Sequence, residues 1–463
     1  MKHSEIEIKI NELFVYLFVF IFTITLIFGS PFSDDLHHYH AGSILNMDNS
    51  KIIIGSNFLH HHYGFSSIWL ILHSYLNFNS SLFTDIHVLN GIIFFLILCL
   101  LLKTILFKEY SINKINFVPI FLFLFFFLIL KYTRLKEFGI DRPGFLIVVY
   151  TIYYFLNNIL HRKNIKDYHL INLFILTFFI FSIKIIFLPF LVLCLIFLAN
   201  KIRTKEFLIT KKTFIIFIIC FSYLVKNLLI SGCIIYPIEI TCIETLQWNS
   251  KEIASNLSLS TEIFNKSFYS YNGNLSSSKY IENFYWFKNW YISNYRELLD
   301  YISVLFIACF FTFIVLKKIK NDKLINKQVV MISLILLIFS LLIAYKTPVI
   351  RMFHHTFFFL GIIIISISFN FFSITFKKKY FIIFLIICFS FSISKNIKRI
   401  YKSNFKNDPI LHFKEINWYQ VPKKRNLNDF TYYMGWINAS PIGNENIGQL
   451  NYKKKFSYDF IYK

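Results

Sequence analysis

Residues 168–200 read YHLINLFILTFFIFSIKIIFLPFLVLCLIFLAN, and the number of times this stretch crosses a bilayer sets the side of everything after it. A transmembrane helix needs ~20 apolar residues, so the stretch is too long for one upright helix and barely enough for two. Lys184 and Pro189 sit at its middle. A proline ends or kinks a helix, and a lysine costs about 2.5–3.5 kcal/mol at the centre of hydrocarbon but far less where a helix turns at an interface. Charge decides between the two readings. With two short helices turning near Lys184, segments 103–116, 161–167, 201–212, 317–327 and 375–379 share one side, and they are denser in Lys and Arg than the opposite loops 30–85, 131–143, 232–299 and 346–351. Cytoplasmic loops carry that excess. A single crossing would instead export the cluster KIRTKEFLITKK at 201–212.

Working outward, apolar runs near 12–29, 86–106, 115–130, 144–160, 213–231, 300–316, 328–345, 352–374 and 380–394 complete an expected all-α polytopic membrane protein. It has about 11 transmembrane helices, a cytoplasmic N-terminus and an extracytoplasmic C-terminus. A hydrophobic share of 56% with 59 Phe excludes an ordinary soluble domain. The net charge of +23 does not require nucleic acid, because basic clusters such as KKIKNDKLINK (317–327) flank the apolar runs. The start, MKHSEIEIKINELFVYLF, lacks a basic n-region, and the GSPF that follows offers no small-residue cleavage site, so a retained first helix is expected. No internal repeat is visible, which gives no support to an inverted-repeat transporter.

The expected organisation is a membrane domain over 1–394 with exported loops at 30–85 and 232–299, then an exported tail over 395–463. FSSIWLILHSYLNF in the first loop is too short to span and suits a helix lying in the interface. YWFKNWYISNY in the second reads as an aromatic belt or another interfacial helix. The tail is basic, against the charge rule, but long segments translocate largely regardless of charge.

The densest polar chemistry opens the first loop, in GSPFSDDLHHYHAGSI at 29–44. Asp34 and Asp35 lie just beyond the first apolar run, where a partly desolvated carboxylate suits a general base. Adjacent carboxylates oppose each other's ionisation, so one can serve as base while the other orients an acceptor. His37, His38 and His40 are substrate-binding candidates that could tune the pair or contact phosphate, and with the run His60-His61-His62 they are also ligand types for Zn²⁺ or Mn²⁺. No i, i+4 pair fixes a metal geometry, and a divalent metal is left open. Lys184, and Lys226 about one turn below the outer end of its run, each face a choice between snorkelling to the interface and binding a phosphate. Asp141, Arg142 and Arg351 add substrate-binding candidates on the same side. Cys233 and Cys242 flank IIYPIEIT in the second loop, where a disulfide and two free thiols stand even. The other five Cys fall in apolar runs and read as small core hydrophobes.

SDDLHHYH, GFSSIWLILHSYLNF, FSIKIIFLPF and KNLLISGCIIYP together resemble the GT-C superfamily of integral-membrane glycosyltransferases, most closely bacterial members of surface-polysaccharide assembly. The likeness runs through roughly the first 240 residues and returns at TPVIRMFHHTFFFLG (347–361). It implies a sugar donor on a polyprenyl phosphate or diphosphate, a glycan or lipid acceptor, and the bacterial inner membrane. An acidic residue of the first outer loop, Asp34 or Asp35, would be the base, and Lys184 and Lys226 would meet the carrier's phosphate. A repeat-unit polymerase shares the membrane and the basic residues and stays open. A lipid-linked oligosaccharide flippase is disfavoured by the large exported loops.

Overall fold

The computed structural model describes residues 2–27, 39–49, 52–76, 89–107, 117–132, 135, 139–160, 167–195, 211–282, 284–318, 324–369, 374–402, 423–427, 430–434, 451–455 and 458–462. It is about 82% helical. Helices α1 (Lys2–Ile27), α2 (Ala41–Asn49), α3 (Ile68–Leu76), α4 (Leu89–Phe107), α5 (Val118–Lys131), α6 (Asp141–Phe155) and α7 (Asp167–Ile183) come first. After a break follow α8 (Ile185–Leu195), α9 (Lys211–Ser231), α10 (Lys251–Asn265), α11 (Ser277–Ile281), α12 (Phe287–Val315), α13 (Leu324–Lys346), α14 (His354–Ser368) and α15 (Lys378–Lys402).

Five of these helices are long and apolar enough to cross a membrane: α4, α6 with its π-helical extension to Leu160, α12, α13 and α15. Six shorter apolar helices accompany them, within α1, α5, α7, α8, α9 and α14. Many large apolar side chains face outward, among them Phe217 and Phe221 on α9, Ile338 and Leu342 on α13, and Ile383 and Ile387 on α15. Their i, i+4 spacing makes stripes that water would penalise and lipid accepts. This is a membrane protein.

At the centre stands α5, VPIFLFLFFFLILK. A helix apolar on every side has no polar face to give to water, and residues 118–130 are all buried. Pro119 costs it nothing, because the first-turn N–H groups have no intrahelical acceptor. It packs against α4, α12, α14 and α15. Against it α14 presents Gly361, where a Cβ would collide with the Phe123 ring.

Contacts near the ends of the helices sort several termini into two groups. At one end the Leu135 amide donates to Leu26 O and the Gly55 amide to Leu229 O. There too Asn396 donates to Thr25 O and Trp290 Nε1 to Pro348 O. At the other end Lys103 on α4 pairs with Glu12 on α1 at 3.2 Å, and strands β2 (Leu316–Lys318) and β3 (Ile374–Phe376) pair antiparallel.

The stretch quoted at the outset breaks at Lys184. α7 ends at Ile183, Lys184 is extended, and the chain restarts as a 3₁₀ turn over Ile185–Phe190 that contains Pro189.

The small strands were not expected. β1 (Ile53–Ile54), in the first loop, pairs parallel with β7 (Tyr458–Tyr462), which pairs antiparallel with β6 (Asn451–Lys455). β4 (Lys423–Leu427) and β5 (Phe430–Met434) form a separate hairpin. Sequence reading assigns the tail no secondary structure, and a β-ladder between segments some 400 residues apart has no local periodic signal. The pairing brings the tail to the first-loop end of the bundle.

Candidate functional site

The first-loop end gathers most of the polar residues picked out from the sequence. Asp141 opens α6, and Lys184 lies where α7 has just ended. Their charges meet, Lys184 Nζ lying 2.5 Å from Asp141 Oδ1. Arg351 and His40 also act electrostatically on Asp141. Arg142, next along the helix, is turned elsewhere and acts on Tyr301 and His354. Adjacent residues on a helix stand ~100° apart, so the two side chains leave α6 in different directions.

Lys226 is held differently. Its ammonium donates to the Ser66 carbonyl at 3.2 Å and lies 4.8 Å from the centre of the Tyr223 ring. The Tyr223 hydroxyl also donates to Ser66 O and to Ser182 O, at 3.2 and 3.1 Å. The GFSS segment of the first loop, the last turn of α7 and α9 are thereby tied into one corner. Among the described residues no carboxylate pairs with Lys226. An ammonium has three donors, and one carbonyl and one ring leave it short of counter-charge.

The two histidine runs meet. Tyr39 stacks on His62, with centroids 4.6 Å apart, and packs edge-on against His40. His60, His61 and His62 bring one ring nitrogen each within 4.8 Å of the others. The His60 and His61 rings are stacked nearly parallel, however, 18° apart, and His60 Nδ1 accepts the His62 amide. In parallel rings the lone pairs run side by side, whereas a Zn²⁺ site needs them to converge at ~2.0–2.1 Å. A divalent metal here would require the rings to turn. Asp34, Asp35, His37 and His38 lie outside the described residues, as does the loop between residue 27 and Tyr39.

A second wall was not foreseen. His354 at the start of α14 lies between two phenols, Tyr132 at 2.9 Å from Nδ1 and Tyr301 at Nε2. Lys131 sits over the Tyr301 ring and pairs with Asp300, and Glu297 feels both Lys131 and Arg351. No short-range spacing announces this group, because Lys131 and Asp300 are 169 residues apart.

The second loop is cross-braced by its own contacts. Cys233 and Cys242 form a disulfide. Lys266, fully buried, pairs with Glu262 at 2.6 Å beside the Trp286 and Tyr345 rings, and Lys346 joins the same carboxylate. At the loop surface the Lys251 ammonium, hydrogen-bonded to Glu244, holds that carboxyl below its usual range.

A family model described as "Domain of unknown function (DUF8201)" matches residues 1–358. No curated protein matches the chain, and no solved structure does.

Proposed function

The chain belongs to the DUF8201 family, and we propose that it is a membrane-embedded glycosyltransferase of the GT-C kind. In this reading it moves a sugar from a polyprenyl phosphate or diphosphate to a glycan or lipid acceptor outside the bacterial inner membrane. The observation that carries the reading is Lys226, a cation at the first-loop end held by one carbonyl and one aromatic face. A lipid-borne phosphate reaching that depth supplies the counter-charge that the described residues do not.

The contacts at the two ends support the following count of crossings. α1, α4 to α9 and α12 to α15 make eleven crossings, with the first-loop end outside, the N-terminus inside and the tail outside. Counting α7 and α8 as one crossing would put β7 and β1 on opposite faces of the membrane, where they cannot pair.

In the reaction the acceptor oxygen bonds to the sugar's anomeric carbon as that carbon's bond to the phosphate oxygen breaks. The electron pair leaves with the phosphate, and the acceptor proton passes to a carboxylate. Asp34 or Asp35 takes this role. They stand five and six residues before His40, within ~20 Å of chain reach, and His40 already lies in the electrostatic neighbourhood of Asp141. Lys226 binds the phosphate. Arg351, which reaches both Asp141 and Glu297 electrostatically, and Lys184, neutralised by Asp141, shape the mouth.

The test is sugar transfer by the purified protein in lipid. Asp34→Asn or Asp35→Asn, whichever removes the base, should lower kcat by about 10²–10⁴-fold with donor binding retained. A double Asn variant that restores surface polysaccharide in a deletion strain at normal protein level rejects the reading and favours a polymerase or flippase.

A further inference from the structure

α10 carries a polar stripe that the proposed reaction leaves without a role. Lys251, Ser255, Ser258 and Glu262 follow one another at i, i+4, i+7 and i+11, a spacing that puts them on one face of the helix over ~16 Å. That face lines an open cavity of about 740 Å³, within the ~300–1,000 Å³ range of small-molecule sites. The facing wall is the loop closed by the Cys233–Cys242 disulfide. Pro237, Ile238 and Ile240 line it, and Ile240 is 90% exposed. Lys346 and Thr347, where α13 ends, complete the lining.

Both ends of the stripe are fixed. Lys251 pairs with Glu244 at 2.5 Å and lies 3.8 Å from Glu239, while Lys266 and Lys346 both hold Glu262. Between them Ser255 and Ser258 contribute hydroxyl-bearing side chains to the cavity. The two walls therefore differ in kind, one bearing hydroxyls and the other largely aliphatic. A pyranose has the same two aspects, a rim of hydroxyls that donate and accept and faces made of C–H. Three carboxylates against two ammoniums leave the lining one negative charge, which disfavours a phosphate or an acidic sugar.

The cleft is joined to the candidate site. Tyr236, next to Pro237, donates its hydroxyl to the His61 carbonyl at 2.9 Å, and Gly64 packs so closely on its ring that a Cβ there would collide. One residue after Lys226, Asn227 donates to Ile234 O at 3.3 Å. The loop that walls the cleft is thus anchored both to the histidine turn and to the helix that carries Lys226.

We propose that this cleft binds an uncharged oligosaccharide, and that the oligosaccharide is the acceptor glycan. The acceptor role rests on the glycosyltransferase reading; the cleft itself does not. Carrier phosphate and acceptor are then held at separate places, the first at Lys226 and the second between α10 and the disulfide-closed loop.

The experiment uses full-length protein in phosphatidylcholine nanodiscs. The saccharide probes are the neutral and acidic oligosaccharides released by mild acid from the surface glycan of a strain lacking the protein, separated by anion exchange. Undecaprenyl phosphate is the donor-site probe. The neutral fraction should bind, and its affinity should be insensitive to added salt. Ser258→Trp, which fills the cleft from an exposed position, should weaken that binding by about tenfold or more and undecaprenyl phosphate binding by less than about twofold. Asn256→Trp, exposed on the same helix outside the cleft, should leave both unchanged. Equal weakening by the two Trp variants overturns the inference, and so does binding confined to the acidic fraction or lost with salt. Undecaprenyl phosphate binding without oligosaccharide binding also overturns it and leaves the glycosyltransferase reading standing. Oligosaccharide binding without undecaprenyl phosphate binding removes that reading and the acceptor role with it, and supports the cleft as a saccharide site.

Discussion

Lys184 Nζ lies 2.5 Å from Asp141 Oδ1 and joins the break between α7 and α8 to the first turn of α6. Both side chains are mostly covered, at 17% and 22% exposure. Breaking such a pair leaves the remaining charge poorly solvated, while removing both partners does not. Asp141→Ala or Lys184→Ala alone should therefore destabilise the protein by about 2–4 kcal/mol, and an Asp141→Leu, Lys184→Met double variant by clearly less. Thermal denaturation in detergent checks this. Equal losses from the single and double variants would show that the pair is not coupled.

Lys226→Ala removes a cation whose protein contacts are one carbonyl and one ring. A charge-assisted hydrogen bond to a donor phosphate is worth about 1.5–3 kcal/mol, which is about 10- to 150-fold in affinity. That loss should appear in KM for a polyprenyl-phosphate sugar, with kcat little changed. Lys184→Ala should affect KM less, because its charge is already neutralised by Asp141. A larger KM effect at Lys184 than at Lys226 would reverse the two roles.

The disulfide between Cys233 and Cys242 closes a short loop, at a sequence separation of 9. Loop-closure entropy for that length is about 2–3 kcal/mol. A Cys233→Ser, Cys242→Ser variant should lose about that much stability, and non-reducing mass spectrometry of the unaltered protein should find the two peptides joined. Recovery of both as alkylated free thiols from protein purified without reductant would contradict the bond.

The β1–β7 ladder ties residues 53–54 and 459–460 to one face of the membrane. Reporters after residues 50 and 430 should therefore agree with each other and with one after 270, and differ from reporters after 110, 165, 207, 322 and 378. A reporter after 207 on the same face as that after 50 would turn α7 and α8 into one crossing.

How much of this was open to sequence reading depends on the range of the interaction. Composition and run length point to a membrane protein because the cost of an apolar side chain in water is local and additive. The break at Lys184 is legible for the same reason: a charged residue followed by Pro189 is costly inside an apolar helix wherever that helix packs. Asp141, Lys184, Lys226 and Arg351 could be placed at one end of the bundle from apolar length and loop charge alone. Lys131, Asp300, Tyr301 and His354 could not, since each taken singly reads as an ordinary helix-end or core residue.

The amino-acid sequence by itself determined the solvent class and the predominantly helical fold. Only the tertiary structure decided that Lys184 is neutralised by Asp141 while Lys226 meets no carboxylate among the described residues. It likewise decided that Tyr39 carries one histidine run onto the other, and that Ile461 closes the first loop. These depend on which side chains packing brings within a few ångströms across separations of 23 to more than 400 residues. Hydropathy, a sum over neighbours along the chain, holds no record of such contacts, and short-range electrostatics and close packing depend on little else.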